Sequence, residues 1–369
     1  MKNPHEDFMK AAYALAEMGR GHVSPNPLVG AIIVKSDEII GQGFHERYGT
    51  PHAEINALSN CSKSPAGATL YVTLEPCCHF GKTPPCTEAI IKSGIKEVYI
   101  SLLDPNPLVC GKGLAALKQA GITTHVGLMA DLGRIQNEVF FHSILTSTPF
   151  VTLKYAMTMD GKTTTASGES KWITNEKSRE NVHRSRFHFS AVMVGVGTVI
   201  ADNPRLTCHG KFAKDPTRII CDTNLRTPLD SILVTSAQNT VTIIATCCHD
   251  VERHLPYLEN GCKILVIPLK GSSVDLKQLM SELYKLNIDS VFIEGGSELS
   301  FSALKSQIVH KVQTYIAPVL IGGVLGKSPV GGLGFQKLSD GISLRNSTIK
   351  YFDEDILIES EVNYTCSQV

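Results

Sequence analysis

The sequence predicts an α/β protein with two layered domains. Short apolar runs typical of buried strands alternate with segments of helical periodicity along the 369 residues. A Ser/Thr/Pro cluster at 145–149 interrupts this alternation, which then begins again. Hydrophobic residues make up 43% of the chain, enough for each half to bury its own core. We therefore expect one domain at residues 1–147 and a second at 148–369.

The first domain is predicted to begin with a helix at residues 5–18. Phe8, Ala11 and Leu15 recur at helical spacing, and Gly19 is typical of a helix end. The next two apolar runs flank a Ser-Asp turn, which favours a pair of strands. The remaining predicted elements are strands at 29–34 and 39–44, a helix from His52, a strand at 69–74, a helix from Cys86 to Gly94, a strand at 97–103 and a helix at 114–119.

The second domain is predicted to repeat this pattern with more strands. Its clearest helix covers 275–286, where apolar residues again follow the helical period. The tail at 349–361 is typical of one or two late strands. The other predicted strands are 150–156, 191–196, 217–221, 241–245, 263–267, 290–293 and 311–317.

Composition and charge argue against several classes of protein. Lys and Arg number 35, as do Asp and Glu, so nothing indicates a surface for nucleic acid or for a membrane. No apolar run reaches the ~18–20 residues of a membrane helix, and the start of the chain lacks the apolar core of a signal peptide. The eleven scattered cysteines do not have the pattern of a disulfide framework. We therefore expect a cytoplasmic protein.

One histidine, one carboxylate and two cysteines of the first domain have the pattern of a catalytic zinc site. His52 and Glu54 are two residues apart, and Pro76 and Cys77 follow the next predicted strand. Zinc deaminases use one His and two Cys as ligands, while a Glu two residues after the His moves protons without binding the metal. Cys86 completes the set, although its separation from Cys77 is wider than in the usual Pro-Cys-x-x-Cys.

Two simpler interpretations stay open on spacing alone. Cysteines so far apart are often unrelated, and a structural zinc would need a fourth protein ligand, which Cys78 or His79 could supply. Ligation by two adjacent residues is sterically awkward, which favours the catalytic interpretation. The loop between the cysteines, which contains Lys82, is a candidate wall of the substrate site.

The motifs around these residues resemble the bifunctional deaminase-reductase family of riboflavin biosynthesis, in which the wide cysteine spacing is normal. The resemblance implies a cytidine-deaminase-like three-layer domain, zinc on His52, Cys77 and Cys86, and Glu54 as catalytic proton carrier. It implies hydrolytic deamination of 2,5-diamino-6-(ribosylamino)pyrimidinone 5′-phosphate. Many family members have Ser at the position of Cys78. Asn26 is either an amide that reads the substrate base or a turn residue. The segments that carry the resemblance are 51–54, 73–77, 81–86 and 104–107.

The resemblance continues through the second domain, at 154–162, 167–174, 195–198, 201–204 and 294–296. In the family this domain is similar in fold to dihydrofolate reductase and uses NADPH. The implied reaction is hydride transfer to C1 of the ribosyl group, giving a ribityl chain. The implied cofactor-binding residues are Ala156, Trp172, Thr198, Asp202, Thr223, Gly296, Ser297, Glu298, Leu299, Ser300, Phe301 and Ser302. The implied substrate-binding residues are Ser170, Arg186, Leu206, His209 and Glu294.

Several of these residues can also be interpreted from their own chemistry, without the family resemblance. Gly295 and Gly296 join a strand to a Ser-led helix, where a phosphate can approach backbone N–H groups, although most such junctions are tight turns. Trp172 is equally typical of core packing. Arg186 is either a bidentate phosphate ligand or a solvated helix charge. His209 stands where many family members have Arg, and histidine carries only part of a charge near neutral pH.

Four functional hypotheses follow. The leading one is a two-domain enzyme that deaminates and then reduces a small pyrimidine ribosyl phosphate. A reductase with a decayed zinc site conflicts with the intact ligand set. A nucleic-acid base deaminase would need a basic face and stacking aromatic residues. A zinc-stabilised binding module would leave Glu54 without a role. We also expect a homo-oligomer. Lys154, at the end of a predicted strand, is expected to lie near the transferred hydride.

Overall fold

The chain forms two compact units, Met1–Ser147 and Thr148–Val369. The structure is a computed structural model that describes residues 3–78, 84–107, 109–210, 212 and 214–364. Each unit has its own sheet and its own buried cores.

The first unit is built on a five-stranded sheet flanked by helices. Its elements are α1 (Pro4–Glu17), β1 (Gly30–Lys35), β2 (Glu38–Phe44), α2 (Ala53–Ser59), β3 (Thr69–Leu74), α3 (Cys86–Lys92), β4 (Glu97–Leu102), α4 (Lys112–Gln119), β5 (Thr123–Val126), α5 (Ala130–Gln136) and α6 (Glu138–Thr146). The strand order is β2-β1-β3-β4-β5. Strand β1 is antiparallel to β2 and β3, whereas β3, β4 and β5 run parallel.

Helices cover both faces of this sheet, because successive side chains of a strand point to opposite faces. On one face, Met9 and Tyr13 of α1 pack with Ile32 and Tyr71. On the other, α2, α3 and α4 contribute the buried residues Ala53, Ala57, Ile90 and Leu117. The result is a three-layer arrangement in which the end of β3 lies beside the start of α2 and of α3.

The second unit is built on a nine-stranded sheet. Its elements are β6 (Phe150–Thr158), α7 (Glu176–His188), β7 (Ala191–Gly195), α8 (Val196–Asp202), β8 (Thr217–Cys221), α9 (Ile232–Thr235), β9 (Thr242–Thr246), α10 (Val251–Glu259), β10 (Lys263–Val266), β11 (Leu269–Lys270), β12 (Ser273–Val274), α11 (Leu276–Lys285), β13 (Ser290–Ile293), α12 (Ser297–Lys305), β14 (Lys311–Ala317), the short helix Leu338–Asp340, β15 (Ser343–Phe352) and β16 (Asp355–Asn363).

Most of the large sheet is parallel. The strand order is β10-β9-β8-β7-β13-β6-β14-β16-β15, and all strands from β10 to β14 run parallel, whereas β14, β16 and β15 pair antiparallel. Helices α11 and α12 supply the buried side chains on one face, and α7 to α10 supply those on the other. The carboxyl ends of the parallel strands therefore share one edge, where open α/β sheets bind ligands.

Each strand and helix predicted by residue range is present. Strands β3, β8, β13 and β14 have the predicted ends, and the ends of the others are shifted. Strand β5 and helices α5 and α6 were not predicted. Strand β5 has four mostly exposed residues, so it lacks the apolar alternation that marks a strand. Strand β15 begins before the predicted range, and its start was missed because nearly all of its residues are exposed and carry no apolar alternation. No helix among the described residues is long and apolar enough to cross a membrane.

Candidate functional site

The three predicted zinc ligands of the first unit converge. His52 is the N-cap residue of α2, Cys77 follows β3, and Cys86 is the first residue of α3. The Nδ1 atom of His52 lies 3.5 Å from Sγ of Cys77 and 3.3 Å from Sγ of Cys86. All three ligand atoms lie within 4.8 Å of one another, and they are the one such metal-binding group among the residues the structure describes.

The donor set fits zinc. Ligand bonds of about 2.0–2.3 Å to nitrogen and sulfur bring tetrahedral ligand atoms to roughly the separations seen here. The backbone N–H of Cys86, at the positive end of α3, donates to Sγ of Cys77 at 3.3 Å. The contact between the two thiols lowers the pKa of Cys77 and raises that of Cys86, so Cys77 is the one that favours the thiolate before a metal binds.

Glu54 lies beside these ligands without joining them. It occupies the first turn of α2 and is buried. Burial, followed by the nearby charge of Cys77, raises the pKa of Glu54 to about 7. A carboxyl group with such a pKa is suited to take up and return a proton near neutral pH.

A histidine that the sequence analysis missed connects Asn26 to this group. Nδ1 of His45 lies 3.2 Å from the Pro51 carbonyl oxygen, and Nε2 lies 3.0 Å from the Asn26 amide nitrogen. The Asn26 amide can donate to Nε2 when the imidazole carries its proton on Nδ1. The His45 and His52 rings meet edge to face at 5.5 Å. The sequence offered one indication of His45, which is that it directly follows β2.

Glu75, also missed, fixes the loop that follows β4. This buried carboxylate accepts backbone N–H hydrogen bonds from Asp104, Gly111 and Leu114, at 3.2, 3.0 and 3.0 Å. Because Glu75 is two residues before Cys77, these bonds also hold the ligand-bearing segment. The sequence indicated Glu75 only as a carboxylate at the end of an apolar strand.

The remaining predictions for this unit concern the loop between the cysteines. Cys78 does not belong to the metal-binding group of the described residues. His79 and Lys82 lie outside the described residues.

The second unit contains a cavity of about 1040 Å³ at the carboxyl ends of its parallel strands. Lys154, which was expected near the transferred hydride, lines this cavity. Of the residues predicted for the reductase, those that line it are Ala156, Ser170, Trp172, Arg186, Thr198, Asp202, Leu206, His209, Thr223, Glu294, Gly296, Ser297, Glu298, Leu299, Ser300 and Ser302. Phe301 is not part of the lining. It lies on another side of α12, and its ring contacts Phe335 at 5.5 Å.

A buried ion pair lies in this cavity. Nε and Nη2 of Arg186 donate to the two carboxylate oxygens of Glu294 at 2.5 and 2.9 Å, and Nη1 donates to the Thr207 carbonyl at 2.7 Å. Burial alone would raise the pKa of Glu294, but Arg186 keeps it below its usual range. Burial lowers the pKa of Lys154 nearby. Arg186 is therefore not a solvated helix charge.

The junction of β13 and α12 fits a phosphate. Gly295 and Gly296 have φ of +147° and +84°, which glycine adopts readily. Gly296 is the N-cap of α12, and a Cβ there would lie 3.4 Å from Oγ1 of Thr198. A side chain at this position would therefore fill space between α12 and α8. The open helix start offers N–H donors and a positive dipole end to an anion.

Other predicted residues contact one another around the cavity. The Ser170 hydroxyl donates to Asp202 at 3.1 Å. The His209 ring lies 4.4 Å from that of His183, which was not predicted. Trp172 is 72% exposed and stacks with the Arg179 guanidinium at 4.7 Å, so core packing is excluded for it.

Comparison with known proteins matches both units. The family described as "RibD C-terminal domain" matches residues 149–358, and the "cytidine and deoxycytidylate deaminase zinc-binding region" matches residues 2–102. The riboflavin biosynthesis protein RibD of Actinobacillus pleuropneumoniae is 48% identical over 96% of this chain and 94% of its own length. That of Escherichia coli strain K12 is 37% identical over 96% and 98%.

Two solved structures are similar to this chain over both units. The diaminohydroxyphosphoribosylaminopyrimidine deaminase/5-amino-6-(5-phosphoribosylamino)uracil reductase of Thermotoga maritima is 37% identical, with a TM-score of 0.86 over 97% of this chain and 98% of that one. Acinetobacter baumannii RibD is 36% identical, with a TM-score of 0.87 over 98% and 99%.

The fold and the two sites define a bifunctional enzyme with a cytidine-deaminase-like zinc domain followed by a dihydrofolate-reductase-like domain. Its cofactors are zinc and NADPH, and its substrate is a small molecule. The chain belongs to the RibD family of riboflavin biosynthesis. The binding module without catalysis and the nucleic-acid base deaminase are not favoured.

Proposed function

We propose that the protein removes the 2-amino group of 2,5-diamino-6-(ribosylamino)pyrimidinone 5′-phosphate and then reduces the ribosyl group of the product to ribityl. The observation that carries this proposal is the convergence of His52, Cys77 and Cys86 around a buried Glu54 in one unit, together with the cavity of the other. We assign residues 1–147 to the deaminase and 148–369 to the reductase.

In the deaminase, His52, Cys77 and Cys86 would hold zinc, which would supply an acidified water for hydrolysis. Glu54 takes a proton from the attacking water and delivers it to a ring nitrogen, and it then takes a second proton from the new C2 hydroxyl and delivers it to the departing amine. Its burial keeps the carboxyl poised for both steps, since the pKa of Glu54 lies near neutrality. Water adds at C2, the C2–N bond breaks, and ammonia leaves.

In the reductase, bound NADPH would supply the hydride for C1 of the sugar. Opening of the bond from C1 to the ring oxygen then requires a proton for that oxygen. Lys154 is the buried cavity group suited to donate this proton, because burial lowers its pKa. The Glu294 carboxylate, which Arg186 keeps ionised, acts on Lys154 by its charge. Arg186 fixes the Glu294 carboxylate by two hydrogen bonds.

The cofactor lies along the residues predicted for it. The residues from Gly296 to Ser302 that line the cavity, all but Phe301, form the pyrophosphate-binding segment at the start of α12, and Ala156, Trp172, Thr198, Asp202 and Thr223 are further cofactor contacts. The positive φ of both glycines and the open helix start support this assignment.

Four residues are assigned to the substrate phosphate and its surroundings. The guanidinium of Arg186 makes three hydrogen bonds within the protein, which leaves two of its five N–H groups for the substrate. His209 takes the place of the family's arginine, with the His183 ring beside it. Ser170 and Leu206 are the remaining substrate contacts.

We expect a cytoplasmic homo-oligomer. The ten cysteines among the described residues are free, which suits a reducing compartment. The edge strand β15 exposes Leu344, Ile349 and Tyr351, an apolar edge of the kind that a second copy covers. Light scattering of the purified protein and cell fractionation test the two expectations.

A coupled assay tests the proposal. The purified protein is incubated with the pyrimidine substrate and NADPH, and ammonia and NADPH are followed separately. We expect one ammonia released for each NADPH oxidised. Ammonia without NADPH oxidation, or neither, contradicts the two-step function.

A further inference from the structure

Helices α5 and α6 of the first unit carry none of the predicted site residues, yet they pack against the ends of β3 and β4. Phe140 of α6 lies in one buried cluster with Leu74 and Leu102, the last residues of these two strands. Leu74 is three residues before the predicted zinc ligand Cys77. On α5, a Cβ at Gly133 would lie 2.5 Å from a side-chain carbon of Leu102, so α5 approaches β4 closely. The two helices are therefore part of the deaminase unit and not only a connection to the second unit.

The residue between α5 and α6 is Asn137, which is only 3% exposed. An Asn at the start of a helix usually accepts a hydrogen bond from a backbone N–H of the first turn. Among the described residues of α6, Asn137 caps none of these N–H groups. Its amide bonds to the backbone of Leu28 instead: Oδ1 accepts from the Leu28 N–H at 2.8 Å, and Nδ2 donates to the Leu28 carbonyl oxygen at 2.9 Å. Two reciprocal buried bonds fix Leu28 as a neighbouring strand would.

Both helices hold the backbone of Asn137. Its N–H donates to the Gly133 carbonyl oxygen at 3.0 Å, and its own carbonyl oxygen accepts from the Phe141 N–H at 3.0 Å. The amide therefore reaches Leu28 from a fixed position. A buried amide left without these partners would be costly, so each of the two residues depends on the other.

Leu28 lies between two residues that contact His45. Two positions before Leu28, the Asn26 amide nitrogen lies 3.0 Å from Nε2 of His45. One position after it, the Val29 carbonyl oxygen accepts from the His45 N–H at 2.9 Å. The His45 ring in turn meets the ring of the predicted zinc ligand His52. Fixing Leu28 thus fixes both contacts of His45.

We propose that Asn137 is a positioning residue of the deaminase, which holds Leu28 so that Asn26 and His45 form one wall of the pyrimidine site. This inference rests on the proposed function. Asn137 acts through Leu28 and touches neither substrate nor metal. Without its two bonds, the segment before β1 occupies several positions, and the substrate must order it on binding. That cost lowers the affinity for the pyrimidine, whereas the chemical step in the assembled complex is nearly unchanged.

The kinetic test compares full-length Asn137→Ala with the unchanged protein. Zinc content, kcat and KM for ammonia release, and NADPH oxidation with deaminated substrate are measured. We expect KM for the pyrimidine to rise by roughly 10- to 100-fold and kcat to change by less than about threefold. Zinc content and NADPH oxidation should be unchanged. A merely structural loss would reduce the amount of active protein, and hence the apparent kcat, without raising KM.

Gln136→Ala is the matched control. Gln136 directly precedes Asn137, but its amide donates to Tyr13 and Glu17 of α1. KM should therefore stay unchanged in this variant. Hydrogen exchange of the peptide that contains Leu28 follows the bonds themselves, because it does not require turnover. We expect faster exchange in Asn137→Ala and unchanged exchange in Gln136→Ala.

Asn137→Asp gives a second test, which holds even if Asn137→Ala does not fold. A neutral carboxyl can accept from and donate to Leu28 as the amide does, whereas a carboxylate cannot donate. Burial raises the pKa of the introduced carboxyl, so the variant should bind the pyrimidine normally at low pH and lose affinity as the pH rises. The ratio of its KM to that of the unchanged protein should therefore increase between about pH 5.5 and about pH 8.

Three results would overturn the proposal: a KM that Asn137→Ala leaves unchanged, an equal rise of KM in Gln136→Ala, or a KM ratio of Asn137→Asp that does not depend on pH. If the unchanged protein releases no ammonia, the proposed deamination fails, and with it the role assigned to Asn137.

Discussion

Arg186 and Glu294 form a two-pronged ion pair inside the cavity of the second unit, with side chains only 12% and 6% exposed. The carboxylate comes from the end of β13, and the guanidinium comes from the last turn of α7. The pair therefore ties a helix on one face of the sheet to the ligand-binding edge. It supports both the fold and the proposed chemistry.

Arg186→Ala is expected to destabilise the second unit by about 3–5 kcal/mol, because it leaves the Glu294 carboxylate buried without its partner. Urea unfolding of the purified protein measures this. The double variant Arg186→Met/Glu294→Leu removes both charges and should recover most of the lost stability. A single variant that costs less than about 1 kcal/mol would show that the pair is effectively solvated.

Arg218 is a buried guanidinium that is bonded to carbonyl and hydroxyl groups. Its Nη2 donates to the Thr240 carbonyl and the Thr242 hydroxyl, both at 2.7 Å, and Nη1 donates to the Ser236 hydroxyl at 2.8 Å. Arg218→Met keeps the volume but leaves these acceptors unsatisfied, so we expect a loss of about 3 kcal/mol in the unfolding free energy of the second unit. Ammonia release should be unchanged. Equal stability of the variant would contradict this account of Arg218.

Removing zinc should separate the two reactions. A chelator is expected to abolish ammonia release and to leave NADPH oxidation with deaminated substrate intact. Cys86→Ser should lose zinc in metal analysis, because a thiolate ligand is replaced by a poor one. Cys78→Ser is the matched control, and it should keep zinc. Loss of zinc in both variants to the same extent would point to Cys78 as a ligand.

Cutting the chain between residues 147 and 148 should yield a working reductase. The second unit has its own sheet and its own cores on both faces, so a fragment of residues 148–369 is expected to unfold cooperatively and to oxidise NADPH with deaminated substrate. Circular dichroism and the NADPH assay measure the two properties. A fragment that does not fold would refute independent folding of the unit or its boundary.

Much of the fold followed from local patterns. The strands that carry the sites are apolar runs in the sequence: β13 is buried along its whole length, and β3 is buried after its first residue. Strands β5 and β15 are exposed edges, so their positions depend on pairing with a neighbour rather than on their own pattern. Pairing between distant segments leaves no mark on either sequence alone.

The residues of the two sites likewise divide into those that the sequence predicted and those that it missed. His52, Glu54 and the two cysteines were predicted because zinc chemistry restricts residue type and spacing. His45 bonds to the residue before His52, and Glu75, two residues before Cys77, bonds to the loop after β4. Any of many polar residues could fill such roles. The partnership of Arg186 with Glu294 joins residues 108 positions apart, which only the folded sheet reveals.

Glu54→Gln tests the central claim most directly, because it changes one carboxyl of the first unit and leaves the metal ligands in place. The variant is assayed for zinc content, for ammonia release from the diaminopyrimidinone substrate, and for NADPH oxidation with substrate already deaminated. We predict full zinc content, ammonia release reduced by at least about a hundredfold, and unchanged NADPH oxidation. Ammonia release at the rate of the unchanged protein would contradict the account.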